Sequence, residues 1–103
     1  MAEDAKTDKE IMLLEAASKG NYAQIEDIIK QGVNVNAKDK YGKTALMHAA
    51  SAGHLDVVKF LVEHGADVAD VNAKDEMGWT ASEYALKQGH KEIEEYLKKH
   101  KAQ

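Results

Sequence analysis

The sequence predicts an all-α solenoid of three helix-turn-helix units joined by hairpin-like loops. Three observations carry this reading. The chain repeats itself every 33 or so residues, each copy holds two short stretches with apolar residues at helical spacing, and glycines close those stretches. Ala16-Ala17-Ser18-Lys19-Gly20 aligns with Ala49-Ala50-Ser51-Ala52-Gly53 at an offset of 33, which also carries Gly32 to Gly65 and Val35 to Val68. Beyond Val68 the offset is 36. Asn36-Ala37-Lys38-Asp39 then falls on Asn72-Ala73-Lys74-Asp75, Thr44 on Thr80, Ala49 on Ala85 and Gly53-His54 on Gly89-His90. The extra triplet has a visible origin, because residues 66–71 read Ala-Asp-Val-Ala-Asp-Val, and removing one copy restores the period. The chain therefore divides into a flexible N-terminus (1–6), a first unit serving as N-terminal cap (7–39), a second unit with the loop insertion (40–75) and a third serving as C-terminal cap (76–103).

Each element has a local cause. Thr7-Asp8-Lys9-Glu10 fits a capping box opening the first helix through Ile11-Met12-Leu13-Leu14, and Asn21 with Gln24 resembles a second box. Thr44 is an N-cap for 45–52, where Leu46, Ala49 and Ala50 form the apolar stripe, and Gly53 stands where a left-handed residue ends a helix. In 55–64, Leu55, Val57, Val58, Phe60, Leu61 and Val62 are apolar over nearly the whole surface, as suits a middle unit covered on both sides; Gly65 closes it. Toward the ends polar residues replace apolar ones. Ser82, Lys91 and Glu94 stand where the second unit has Leu46, Leu55 and Val58, while Gln24 and Asp27 stand for Val57 and Phe60. These changes predict that both ends are capped and that three units make a whole stack. Glu94–Lys98 and Glu95–Lys99 are favourable i, i+4 pairs, and the lysines of 98–101 suit a helix C-terminus. The connections carry Gly, Asn and Asp, so they read as turns rather than long strands. The triplet duplication is expected to bulge outward and leave the stacking intact, since loop closure entropy grows slowly with length.

The second unit, Asp39-Lys40-Tyr41-Gly42-Lys43-Thr44-Ala45-Leu46-Met47-His48-Ala49-Ala50, resembles the ankyrin repeat pattern D-x-x-G-x-T-P-L-H-x-A-A. It continues as Gly53-His54-Leu55-Asp56-Val57-Val58-Lys59-Phe60-Leu61, close to that family's second helix. The resemblance, in three in-phase copies, covers nearly the whole chain and implies an ankyrin-repeat solenoid. Ala45 and Ala81 replace the family's proline. Met47 and Glu83 replace its histidine, which implies loss of a hydrogen bond between units and of some rigidity. The first unit lacks the block altogether.

Composition narrows the function. With 44% hydrophobic and 31% charged residues, the chain has the balance of a soluble globular protein, and no apolar run is long enough to span a membrane. Met1–Glu10 is charged throughout, which predicts no secretory signal and a cytoplasmic protein. Fourteen lysines and no arginine face eighteen acids, a net charge of −4 that argues against nucleic acid as partner. No cysteine is present, so thiol chemistry and cysteine-based zinc sites are excluded. No Ser-His-Asp arrangement or phosphate loop is found, and Asp67, Asp70 and Asp75 match no calcium-loop spacing. The expectation is no catalytic, cofactor or metal site, and no enzyme. His54 and His90, like His64 and His100, recur with the unit and read as scaffold, the latter two suiting helix C-termini; His48 is the exception.

In ankyrin-like stacks, loop tips and first helices line a concave face that grips another protein. Carried over position by position, this implies a partner-binding set of Lys38, Lys40, Tyr41, Lys43, His48 and Ser51 from the second unit, and Lys74, Glu76, Met77, Trp79 and Lys87 from the third. Tyr41 and Trp79 are of types enriched at binding hot spots. Trp79 reads equally as packing against the neighbouring loop. The lysines around Tyr41 favour an acidic protein partner, held by a monomer. The alternative reading is an ankyrin scaffold, or a folding or design model, carrying a deliberate Ala-Asp-Val duplication and having no specific partner.

Overall fold

A computed structural model describes residues 8–64 and 73–100. Among these residues the chain forms three helix pairs: α1 (Asp8–Lys19) with α2 (Tyr22–Lys30), α3 (Ala45–Ala52) with α4 (Leu55–His64), and α5 (Ala81–Lys87) with α6 (Lys91–His100). The first helix of each pair lies in one layer, with α3 between α1 and α5, and the second helices form the other, with α4 touching both α2 and α6. This is the all-α solenoid the repeat predicts. The capping box at Thr7, the closing Gly65 and the duplication at 66–71 lie outside the described residues.

The middle of the inner layer is built from small side chains. Ala45, Ala49 and Ala50 are fully buried, so α3 approaches both neighbours closely, and Leu46 and Met47 fill the space that remains. Met47 thus puts an apolar side chain where the repeat pattern has histidine. Thr44 caps α3, its Oγ accepting from the Met47 N–H at 3.2 Å, and Gly53 ends it at φ +86°. At α5 the cap is reciprocal: Thr80 Oγ1 accepts from Glu83 N–H at 3.2 Å, and Glu83 Oε1 accepts from Thr80 N–H at 2.9 Å. The Asn21–Gln24 pair completes only half of such a box. Asn21 Oδ1 accepts from Gln24 N–H at 3.3 Å, but Gln24 Oε1 takes the Asn21 side-chain amide instead of its backbone.

The outer layer is covered on one side only. In α4, Val57, Val58 and Leu61 are buried while Leu55, Phe60 and Val62 are half-buried, because solvent lies behind the second helices. Phe60 is partly shielded by the edge of Tyr22, with ring centroids 5.2 Å apart. The polar substitutions of the last unit are not all on open surface. Lys91 is exposed, but Ser82 and Glu94 are buried, the latter holding Lys98 Nζ at 3.0 Å.

Two histidines stack one unit on the next. A Cβ at Gly20 would lie 2.5 Å from the His54 imidazole, and one at Gly53 would lie 2.7 Å from that of His90. Each ring fills the space left by the missing side chain of the preceding unit's turn, and His54 Nε2 also meets Ser18 O at 3.2 Å. His64 and His100 instead rest on the aromatic ring one turn back, Phe60 at 4.4 Å and Tyr96 at 4.2 Å.

Candidate functional site

The loops preceding α3 and α5 are each organised by one aspartate. Asp39 Oδ1 accepts the N–H groups of Tyr41 and Lys43, both at 2.9 Å, while the Asp39 N–H donates to Lys43 O at 2.9 Å. Asp75 Oδ1 takes the N–H groups of Met77 and Trp79 at 2.9 and 3.0 Å, and its own N–H donates to Trp79 O. The two loop tips are tied together by the Glu76 N–H, which donates to Tyr41 O at 3.0 Å. Gly42, at φ +81°, makes room for this contact, since a Cβ there would come within 3.1 Å of Glu76 N.

The second oxygen of each aspartate reaches its own first helix. Asp39 Oδ2 meets His48 Nε2 at 3.0 Å, and Asp75 Oδ2 accepts from the Tyr84 hydroxyl. His48 and Tyr84 are the same position of successive units. Burial alone would raise the pKa of both carboxyls. The hydrogen bonds from Lys43, His48 and Tyr41 to Asp39, and from Tyr84, Trp79 and Met77 to Asp75, the latter aided by the charge of Lys43, outweigh it and hold both below the ordinary value of 3.8. Burial, the bond to Asp75 and that carboxylate's charge together push Tyr84 up to about 12.

Around Tyr84 a four-member stack crosses from the second unit to the third. Lys43 Nζ lies 5.2 Å from the ring centroid of Tyr84 on α5, the ring of Trp79 from the preceding loop lies 4.9 Å from the same ring, and Lys87 Nζ sits 5.0 Å from the Trp79 ring centroid. Trp79 therefore rests on the tyrosine of its own unit and is half-buried. Farther out, Tyr41 is 55% exposed with Lys40 Nζ 5.3 Å from its ring, and Met77 is 76% exposed.

The expected partner-binding residues thus fall into two groups. Tyr41, Glu76 and Met77 come together at the tips, with Lys40 beside them, while Lys43, Trp79 and Lys87 are joined through Tyr84. His48 is a half-buried latch for Asp39. Lys38 and Lys74 are exposed and Ser51 half-buried, and their side chains make no polar or ring contact with this network among the described residues. Sequence reasoning missed Tyr84 and the organising role of Asp39 and Asp75. The signal was available, since Tyr84 lies one register of 36 beyond His48. Among the described residues no three His, Asp or Glu side chains gather as metal ligands would.

Stacked helix pairs with capped, mutually bonded loop tips define a helical-repeat scaffold that presents a lined face. The family model for ankyrin repeats, in three copies, matches residues 13–103, and the chain belongs to the ankyrin repeat family. It is 46% identical over 54 residues to ankyrin repeat domain-containing protein 29 of Danio rerio, covering 52% of this chain and 18% of that one. It is similar also to the 2-5A-dependent ribonuclease of Mus musculus (38% over 56 residues, 53% of this chain and 8% of that one). The potassium channel AKT2/3 of Arabidopsis thaliana matches at 40% over 57 residues, 55% of this chain and 7% of that one. The chain thus spans less than a fifth of the length of each of these relatives.

Proposed function

We propose that this chain is a non-enzymatic module that binds another protein through its loop tips and the adjoining surface of its first helices. Ankyrin repeats are generally protein–protein interaction modules, and the family is generally non-enzymatic. The observation that carries the reading for this chain is the pair Tyr41 and Met77. Two large apolar side chains stand exposed on adjacent, backbone-bonded loop tips, where neither contributes to the core. An aromatic and a methionine in that setting offer apolar contact area that adapts to a partner. We take the module to act as a monomer in the cytoplasm; no described helix is long and apolar enough to cross a membrane.

The test is affinity capture with the natural chain and the Tyr41→Ala/Met77→Ala variant. Because both side chains are exposed, the variant keeps its helical circular dichroism. A protein retained by the natural chain and lost by the variant supports the reading. A partner captured equally by both refutes it.

A further inference from the structure

The lysines of this face are concentrated on a chain that is acidic overall. Five of the fourteen, at positions 38, 40, 43, 74 and 87, lie on the two loops and the end of α5, against a net charge of −4 for the whole. Among the described residues none of the five sits in an ion pair. Of the carboxylates on these segments, Asp39 and Asp75 accept loop N–H groups and Glu83 caps α5, while the exposed Glu76 carboxylate at the loop tips has no side-chain partner among the described residues and forms no ion pair with these lysines. Lys43 and Lys87 are instead placed by aromatic faces, at the two ends of the stack through Tyr84 and Trp79. A ring face places an ammonium without an ion pair, so each keeps N–H donors for an incoming carboxylate, although Lys43 also lies in the field of the Asp75 carboxylate. Met77 and Tyr41 border this row with exposed apolar surface.

We infer that the face formed by Lys40, Lys43 and Lys87, with Tyr41, Met77 and Trp79, binds an acidic peptide segment that also carries an apolar side chain. The carboxylates meet the aromatic-placed lysines, and the apolar side chain lies on Tyr41 and Met77. This inference rests on the proposed use of the face and names the chemistry of its partner. A peptide is favoured over a nucleic acid because the chain has no arginine for bidentate phosphate contacts and its net negative charge opposes a long polyanion.

The experiment titrates the protein with a fluorescein-labelled synthetic peptide in which two leucines are set among glutamates. Binding is read by label anisotropy and by the fluorescence of Trp79, the chain's single tryptophan. Controls are the same peptide with glutamine for glutamate, the same peptide with lysine for glutamate, and a labelled oligothymidylate. The glutamate peptide is expected to bind, to weaken as salt rises, and to lose about tenfold in affinity to Lys43→Gln/Lys87→Gln. Lys30→Gln/Lys91→Gln, away from this face, leaves it unchanged. No binding, equal binding of the glutamine or lysine peptide, tighter binding of the oligothymidylate, or an equal loss in the Lys30/Lys91 variant each overturns the inference. If it is overturned while Tyr41→Ala/Met77→Ala still abolishes capture of a partner, the face stands and only its acidic preference is wrong. Failure of both experiments rejects the face itself.

Discussion

Gly53 and Gly89 occupy the same position of successive units, with φ +86° and +79°, yet only Gly53 has a histidine stacked on it. Replacing either by alanine forces an L-residue into the left-handed region, at a cost of about 1–2 kcal/mol. At Gly89 nothing lies within 4 Å of the new Cβ, so strain is the whole cost. At Gly53 the Cβ arrives 2.7 Å from His90 Cε1, so the imidazole must leave its place between the units. Overpacking of this kind adds roughly 1–3 kcal/mol, bringing Gly53→Ala to about 2–5 kcal/mol against about 1–2 for Gly89→Ala. Urea unfolding followed by circular dichroism measures both losses. Trp79 fluorescence reports separately on the third unit, whose attachment His90 supports. Adding His90→Ala to Gly53→Ala removes the clash, so the double variant should lose less than the two single losses added together. Equal losses for the two glycine variants, or strict additivity in the double, would refute the claim that the histidine rings hold the units together.

Other outcomes follow from the same contacts. Leu61→Ala empties a fully covered site in the middle unit and should cost about 2–5 kcal/mol in urea unfolding. Glu83→Ala removes half of the α5 capping box, lowering stability by about 1 kcal/mol, while Glu83→Gln restores most of it. Tyr84 is raised from 10.0 to about 12, so its contribution is fully present below pH 10 and lost as pH rises through 12. Tyr84→Phe should therefore be less stable than the natural chain at neutral pH, and the gap should narrow in alkali. Asp39 and Asp75 are lowered instead, so their contribution is present above pH 3.8 and lost as pH falls through their folded values. Asp39→Asn should flatten part of the natural chain's loss of stability below that pH, as measured by thermal unfolding across an acid series.

Much of the scaffold was legible because a repeat writes its contacts several times. Thr44 and Thr80, Gly53 and Gly89, and His54 and His90 each appear in register, and a residue that recurs with the unit reveals a task that recurs with it. Periodicity marks the apolar stripe of a helix, as at Leu46, Ala49 and Ala50, but not how far neighbouring units cover the rest of it. For this reason Leu55 and Phe60, apolar in a middle unit, are only half-buried, and Ser82 and Glu94, polar in the last, are buried. The candidate face was legible as a set of positions but not as a network. Lys43 to Tyr84 and Tyr41 to Glu76 are contacts between units, and sequence separation gives no measure of them.

By itself the sequence determined the number of units, the helix starts at Thr44 and Thr80, the left-handed turn at Gly53, and the residues that line the loops. Those are local properties, set by caps, by glycine's missing Cβ and by helical spacing. Only the tertiary structure decided that His90 fills the space beside Gly53, that the Glu76 N–H donates to Tyr41 O, and that Lys43 and Lys87 end up on opposite ends of one aromatic stack. Those arrangements depend on how one unit is set against the next, and that distance is fixed by close packing of the alanines of α3 against α1 and α5.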